Sequence, residues 1–390
     1  MSDSILYEEQ NRFFFGEKNM KNSIGSNLQV TLFGESHGPV IGCVLDGLTP
    51  GIKIDEDFIR HQLSLRRPSG KISTARVEKD EFQIVSGEFN GYTTGTSLCI
   101  LIPNTAQHSK DYSKTASLAR PGHADYTAEC KYHGFQDYRG GGHFSGRLTA
   151  AIVAAGAIVI PALAKKGILI GSHIKSCGGI KDIDFAETDS SALTAQIKAL
   201  NEKSFAVLDD DAATKMQVEI EKVASEGDSV GGVLETAITG LPAGLGEPWF
   251  DSFESLLSHA LFSIPAVKGV QFGAGFDMVD GRGSEFNDSF RTDNGKVYTT
   301  TNHNGGINGG ITNGMPVIFR CAVKPTPSIY KEQQTIDFKK NENADLIIEG
   351  RHDPAIIHRA RVVADSVTAL VVADVLLGRF GTDYFTTETK

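Results

Sequence analysis

The segment Ala150 to Ala164 restricts the possible folds of this chain more than any other. It runs fifteen residues without a charge, contains Pro161, and is followed by Lys165-Lys166. A membrane span needs about 18 or more apolar residues, so the run predicts a helix buried in a protein core, from about Leu148 to Lys165. A second long helix is predicted near the end, from about Pro354 to Leu377 and stopped by Gly378. Strand-like stretches lie between and before them. Leu28, Val30 and Leu32 alternate with polar residues, Val40 to Leu45 follows, residues 81–103 read as two strands joined at Asn90-Gly91, and Ile168 to His173, Val230 to Thr239 and Pro316 to Val323 are apolar and β-branched. Asp55 precedes a short amphipathic helix through Phe58, Ile59 and Leu63, residues 186–225 read as helical and solvent-facing, and Ser252 to Ser263 is a helix with one apolar face. Strands and helices interleave without a repeat or a clean linker, which predicts an α+β chain. Residues 1–20 differ in character and are expected to form a weakly ordered extension to a single domain over residues 21–390.

Composition narrows the function classes. The net charge of −10 argues against a broad nucleic-acid surface. Cys43, Cys99, Cys130, Cys177 and Cys321 are widely spaced and form no Cys-x-x-Cys pair, which argues against a disulfide framework and a zinc knuckle. No metal site is expected. The first twenty residues lack the apolar core of a signal peptide, and the chain reads as cytoplasmic with no membrane partner.

Against this acidic background, one stretch is basic. No acidic residue falls between Asp57 and Glu78, while Arg60, His61, Arg66, Arg67, Lys71 and Arg76 do. Such a run is either a solvated helix face or a site for an anion, whose oxygens match guanidinium forks. Residues 104–146 form a long polar stretch rich in Gly, Arg, His and Tyr, ending in Arg139-Gly140-Gly141-Gly142-His143-Phe144-Ser145-Gly146-Arg147 just before the buried helix. That pattern is a tight turn or a backbone cradle for a phosphate. Gly34-Glu35-Ser36-His37-Gly38 matches a nucleophile elbow, but Pro39 and a β-branched run follow where the elbow needs a helix. A serine hydrolase is therefore disfavoured, and His37 is left in a turn between strands. Asp353 precedes Pro354 and reads as a helix cap or an acid. Gly273 and Gly275 are followed by Met278, so no full dinucleotide fingerprint is present.

In sequence order these segments resemble chorismate synthases. The resemblance covers about Lys21 to Leu377. It rests on Phe33 to Gly38, Arg66-Arg67-Pro68, Thr93-Thr94-Gly95-Thr96, Arg120-Pro121-Gly122-His123-Ala124-Asp125, Asp137 to Gly142, Ala266 to Val270, Asn304 to Ile311, Lys324-Pro325-Thr326 and Gly350 to Pro354. It implies a β-α-β sandwich in which antiparallel sheets enclose helices, assembled as a homotetramer. It implies anti-1,4-elimination of phosphate from 5-enolpyruvylshikimate 3-phosphate, with reduced FMN and no net redox change. His37 would protonate the departing phosphate, His123 would sit at the flavin ring, and Asp353 would relay a proton. Arg66, Lys71 and Arg147 would grip substrate anions. His143, Phe144, Ser145, Pro265, Ala266, Gly309, Lys324, Pro325, Thr326, Pro327, Ser328 and Arg351 would line the flavin. The chain departs from the family pattern at His143, where an arginine is usual, and at Phe144, Leu65, Pro265 and Pro327. The missing dinucleotide fingerprint points to reduced FMN supplied by an external flavin reductase.

Overall fold

Two antiparallel sheets define the architecture. The computed structural model describes residues 21–68, 70, 72–74, 79–105, 116–348, 350 and 352–386. The first sheet holds β1 (Ser23–Ile24), β2 (Gln29–Gly34), β3 (Val40–Asp46), β4 (Gln83–Ser86) and β5 (Leu98–Pro103), ordered β1-β2-β3-β5-β4 and antiparallel throughout. The second holds β6 (Leu169–Cys177), β7 (Ile180–Lys181), β8 (Gly232–Thr239), β9 (Val267–Phe272) and β10 (Val317–Val323), ordered β9-β10-β8-β6-β7, again antiparallel. Helices α1 (Glu56–Arg66), α2 (Asp125–Tyr132), α3 (Thr149–Lys165), α4 (Ser190–Asn201), α5 (Asp210–Ser225), α6 (Phe253–Leu261) and α7 (Ile357–Phe380) complete the frame.

The two long apolar helices lie between the sheets. α3 packs on β3 and β5, α7 packs on β6 and β8, and the helices pack on each other. This is the β-α-β sandwich that the family resemblance implies, where the residue pattern alone predicted an α+β chain. Their close approach depends on Gly156, where a Cβ would stand 2.4 Å from the Cβ of Ser366. A larger residue there would push the pair apart. Ile158 and Val159 on α3 are 1% exposed, each burial stabilising by about 1.5–3 kcal/mol. Among the described residues α3 with its preceding turn is the one helical stretch long and apolar enough to cross a membrane. Here it is core.

Two carboxylates inside this core are matched. Asp374 on α7 accepts the backbone N–H groups of Ser26, Asn27 and Leu28, pinning the β1–β2 turn to the helix. Asp365, wholly buried, takes the Ser172 hydroxyl and Arg361.

Several expectations need correction. α7 begins at Ile357, not at Pro354, and runs through Gly378 to Phe380, where Gly381 at φ +92° ends it. Gly378 is interior because Asn27 packs against it, with Nδ2 2.7 Å from where a Cβ would be. The 104–146 stretch contains α2, whose short run DYTAECKY buries little and so shows weak periodicity. Residues 186–225 form two helices that are not merely solvent-facing, since Leu193, Ile197, Leu200, Met216 and Ile220 are buried. Residues 81–103 gain a small hairpin, Glu88–Phe89 with Tyr92–Thr93, turning at Asn90 and Gly91, both at positive φ. Residues 1–20, Lys71 and Arg351 lie outside the described residues.

Candidate active site

The turn between β2 and β3 carries His37, which is 5% exposed. The triple glycine closes over it. Gly140, Gly141 and Gly142 all take positive φ, and a Cβ on Gly140 would lie 2.2 Å from His37 Cε1, so only glycine allows this approach. The Ser36 amide donates to the Gly142 carbonyl at 3.0 Å. Ser36 Oγ lies 3.1 Å from His37 Nδ1 and donates to the carbonyls of Arg139 or Gly140, each 3.2 Å away. A hydroxyl whose proton goes to a carbonyl accepts from the imidazole, which puts a proton on Nδ1 of His37. His143 Nδ1 donates to the Gly34 carbonyl at 2.8 Å, locking the glycine loop to β2. Ser145 caps the following turn through the Arg147 amide, and Phe144 is 43% exposed against Tyr132.

Beside this turn, guanidinium groups gather on one carboxylate. Asp80, its side chain fully buried, meets Arg66 at 3.1 Å, Arg67 Nε at 3.8 Å and Arg147 in closer contact. Arg147 Nε also donates to Asn104 Oδ1 at 3.0 Å, and Asn104 Nδ2 donates to the carbonyls of Glu35 and Gly38 on either side of His37. α1 places Arg66 and Arg67 at its C-terminal end, after the N-cap Asp55 has fixed its start. Arg66 is buried, whereas Arg67 keeps 34% of its side chain exposed.

Asp353 does not cap α7. Its carboxylate accepts the Thr74 amide at 2.9 Å and Arg359 at 2.6 Å, while Arg359 Nε donates to the Arg66 carbonyl at 2.7 Å. Beneath it, His358 Nε2 is 2.8 Å from Ser73 Oγ. Burial, reinforced by the Arg359 charge, pushes the His358 pKa down to about 4.

A second group forms around His123. Its Nδ1 lies 3.2 Å from the Pro121 carbonyl and its Nε2 2.8 Å from Ser328 Oγ. Nδ1 therefore donates and Nε2 accepts. Burial, and then the Arg120 charge, lowers its pKa to about 4, so it is neutral at pH 7. Lys324 Nζ donates to the Gly122 carbonyl at 2.6 Å, and Gly122 packs so tightly that a Cβ would meet Pro327 at 2.8 Å. The Lys324 amide donates to the Ala266 carbonyl, and Ala266 itself holds φ +76°. Burial and the neighbouring Lys268 lower the Lys324 pKa. Thr326 Oγ1 is buried without a hydrogen-bond partner.

The fold thus brings His37, Arg66, Arg147 and Asp353 onto one chain of contacts, and His123, Ala266 and Lys324 to Ser328 onto another. The two meet where the Val230 amide donates to the Pro354 carbonyl and Ser229 Oγ to the Thr326 carbonyl. Gly309 is not gathered with them. Its hairpin sits near the Val317 end of β10, where the Phe253 amide donates to Gly310, while Lys324 follows the other end. Six strand steps separate the ends by about 20 Å. Sequence reasoning missed Asp80, Asn104 and Arg359. The one available signal was that basic stretch, which needs buried carboxylates to hold its arginines.

A buried histidine, guanidinium groups converging on one buried carboxylate, and a second carboxylate held by Thr74 and Arg359 lie together on a two-sheet α+β frame. The comparisons give the chain's family. The sequence model described as chorismate synthase matches residues 28–377. Chorismate synthase of Pyrococcus abyssi is 46% identical over 355 residues, covering 91% of this chain and 97% of that protein. That of Lachnoclostridium phytofermentans is 47% identical over 358 residues, covering 91% and 95%. A solved structure titled "Crystal Structure of Chorismate Synthase" superposes with a TM-score of 0.73 at 28% identity, covering 92% of this chain and 94% of that one. The chain belongs to the chorismate synthase family, a lyase family of the shikimate pathway.

Proposed function

We propose that this chain converts 5-enolpyruvylshikimate 3-phosphate to chorismate by anti-1,4-elimination, with reduced FMN as a cofactor that ends unchanged. One observation carries this reading. His37 and Asp353 stand at opposite ends of a single run of contacts, through Asn104, Arg147, Asp80, Arg66 and Arg359. Acid, anion grip and proton acceptor are thereby held in fixed relation, which places charge stabilisation where charge develops.

Loss of phosphate leaves negative charge on its bridging oxygen. His37, with Nδ1–H directed to Ser36, presents Nε2 as the proton donor to that oxygen. Arg147 and the Arg66-Arg67 pair supply the cationic surroundings, with Lys71 as a further contributor. Asp353, held as an acceptor by Thr74 and Arg359, takes up the proton of the ring hydrogen. Lys324 beside Lys268, the unpartnered Thr326 hydroxyl and the tight Gly122–Pro327 cradle suit a flavin phosphate and ring. Pro265, Ala266, Pro325, Pro327, Ser328, Arg351 and the 143–145 segment would complete that site, with Gly309 further off. Bound there, reduced FMN supplies electron density that activates the allylic system. His123, neutral with Nδ1 donating to Pro121 and Nε2 accepting from Ser328, brings an uncharged ring to that site. The catalytic unit starts near residue 21, assembles as a homotetramer, works in the cytoplasm and takes reduced FMN from a separate reductase.

The test is anaerobic phosphate release from 5-enolpyruvylshikimate 3-phosphate with and without chemically reduced FMN. Turnover that requires reduced FMN, yields chorismate and consumes no stoichiometric reductant supports the reading. Binding of FMN without turnover would refute it.

A further inference from the structure

We propose that Asp80 and Asn104 are positioning residues that fix the guanidinium of Arg147, and through it the grip on the substrate's anionic groups. The inference deepens the proposed function and rests on Arg147 as an anion-gripping side chain.

Arg147 is a flexible side chain, and a free guanidinium would lose rotamer entropy on every binding event. Here it is held on two edges. Asp80 takes one terminal nitrogen, and Asn104 Oδ1 accepts Nε at 3.0 Å. The clamp is itself anchored. Asp80 is shared with Arg66 at 3.1 Å, and Asn104 is tied by two donated hydrogen bonds, 3.0 and 2.8 Å, to the backbone flanking His37. The orientation of Arg147 is therefore set relative to the acid itself.

Two features point to function rather than packing. Asp80 holds φ +50°, a left-handed conformation uncommon for a residue with a Cβ and costing about 1–3 kcal/mol. A buried carboxylate among arginines is also a weak source of stability, since desolvation offsets much of the attraction. An apolar residue would avoid that desolvation cost, but it could not direct a guanidinium.

Asp80→Asn keeps the shape and removes the charge, while Asn104→Ala removes the second acceptor. Each is examined by steady-state turnover with saturating reduced FMN, by equilibrium binding of inorganic phosphate, by FMN affinity and by thermal melting. We expect KM and the phosphate dissociation constant to rise together by about tenfold, the equivalent of one lost charge-assisted contact. For Asp80→Asn, changes in kcat stay within about threefold, whereas Asn104→Ala, which also frees the turn around His37, lowers kcat as well; FMN affinity is unchanged in both. In an Arg147→Lys background, Asp80→Asn adds less than about threefold, because coupled residues are not additive. Folded variants with unaltered KM and phosphate binding would overturn the proposal. So would equal losses with and without Arg147, which mark a general structural role. If Asp80→Asn does not fold, Asn104→Ala decides. A wild-type protein that releases no phosphate would remove the functional reading, while loss of phosphate binding in the variants would still establish the clamp.

Discussion

Two buried ionic clusters are built differently. In the active-site cluster, Arg66, Arg67 and Arg147 converge on the single carboxylate of Asp80. On the second sheet, His173 lies between two carboxylates, Asp182 at 2.7 Å and Glu235 at 2.8 Å, and Arg320 closes onto Glu235 at 2.7 Å. Burial disfavours a charged His173, but its hydrogen bonds to Asp182 and Glu235 more than reverse this and raise its pKa. Asp182 also accepts the amides of Leu208 and Asp209, so it ties the segment before α5 to β6. The first cluster sets three guanidinium groups against one carboxylate, an excess of positive charge that suits the proposed anion site. The second matches cations with carboxylates and serves the fold. Buried charge alone therefore does not mark a functional site; its direction and balance do.

The largest expected effect breaks the structural cluster. Glu235→Ala leaves His173 and Arg320 without their shared carboxylate and should cost about 3–5 kcal/mol in urea unfolding, with KM of the folded enzyme unchanged. A large KM increase would show that the two clusters are coupled.

Acid titration probes the buried histidine beneath Asp353. His358 has a folded pKa of about 4 against 6.5 for the free group. The unfolded chain binds the proton first, so stability falls as pH drops from about 6.5 to 4, by about 3 kcal/mol from this residue. His173 shifts in the opposite sense, and its stabilisation is fully present below its unfolded pKa, so it does not mask the loss. In His358→Gln the acid limb, followed by denaturant unfolding at each pH, should flatten by that amount.

On the catalytic side, Asp353→Ala and His123→Ala should each lower turnover at least about 100-fold, read as anaerobic chorismate formation, without loss of folding. Near-normal rates in folded variants would remove either residue from the chemistry. The smallest effect concerns the glycine cradle. Gly140→Ala forces a Cβ towards the His37 ring in a backbone conformation that disfavours it, costing about 1–3 kcal/mol. Turnover should fall while FMN affinity holds, which would separate the His37 centre from the His123 centre.

Much of this was legible in the sequence. The uncharged run from Ala150 required burial, because it has no polar face to expose to water. The strand–turn–strand setting of His37 followed from Pro39 and the β-branched run behind it. The motif order marked His123 and Asp353. Other features depended on contacts between distant segments. Asp80 reads as one acidic residue in Glu78-Lys79-Asp80, and nothing local indicates that α1 and the turn before α3 will both place arginines on it. Asp353 looked like a helix cap because Pro354 suits a first helical turn. Packing instead starts α7 at Ile357 and gives the carboxylate to Thr74 and Arg359. Local periodicity and turn chemistry are written along the chain. Which charge meets which is decided only when the sheets close over the helices, since an ion pair between residues 67 positions apart, as in Asp80 and Arg147, has no trace in either one's neighbours.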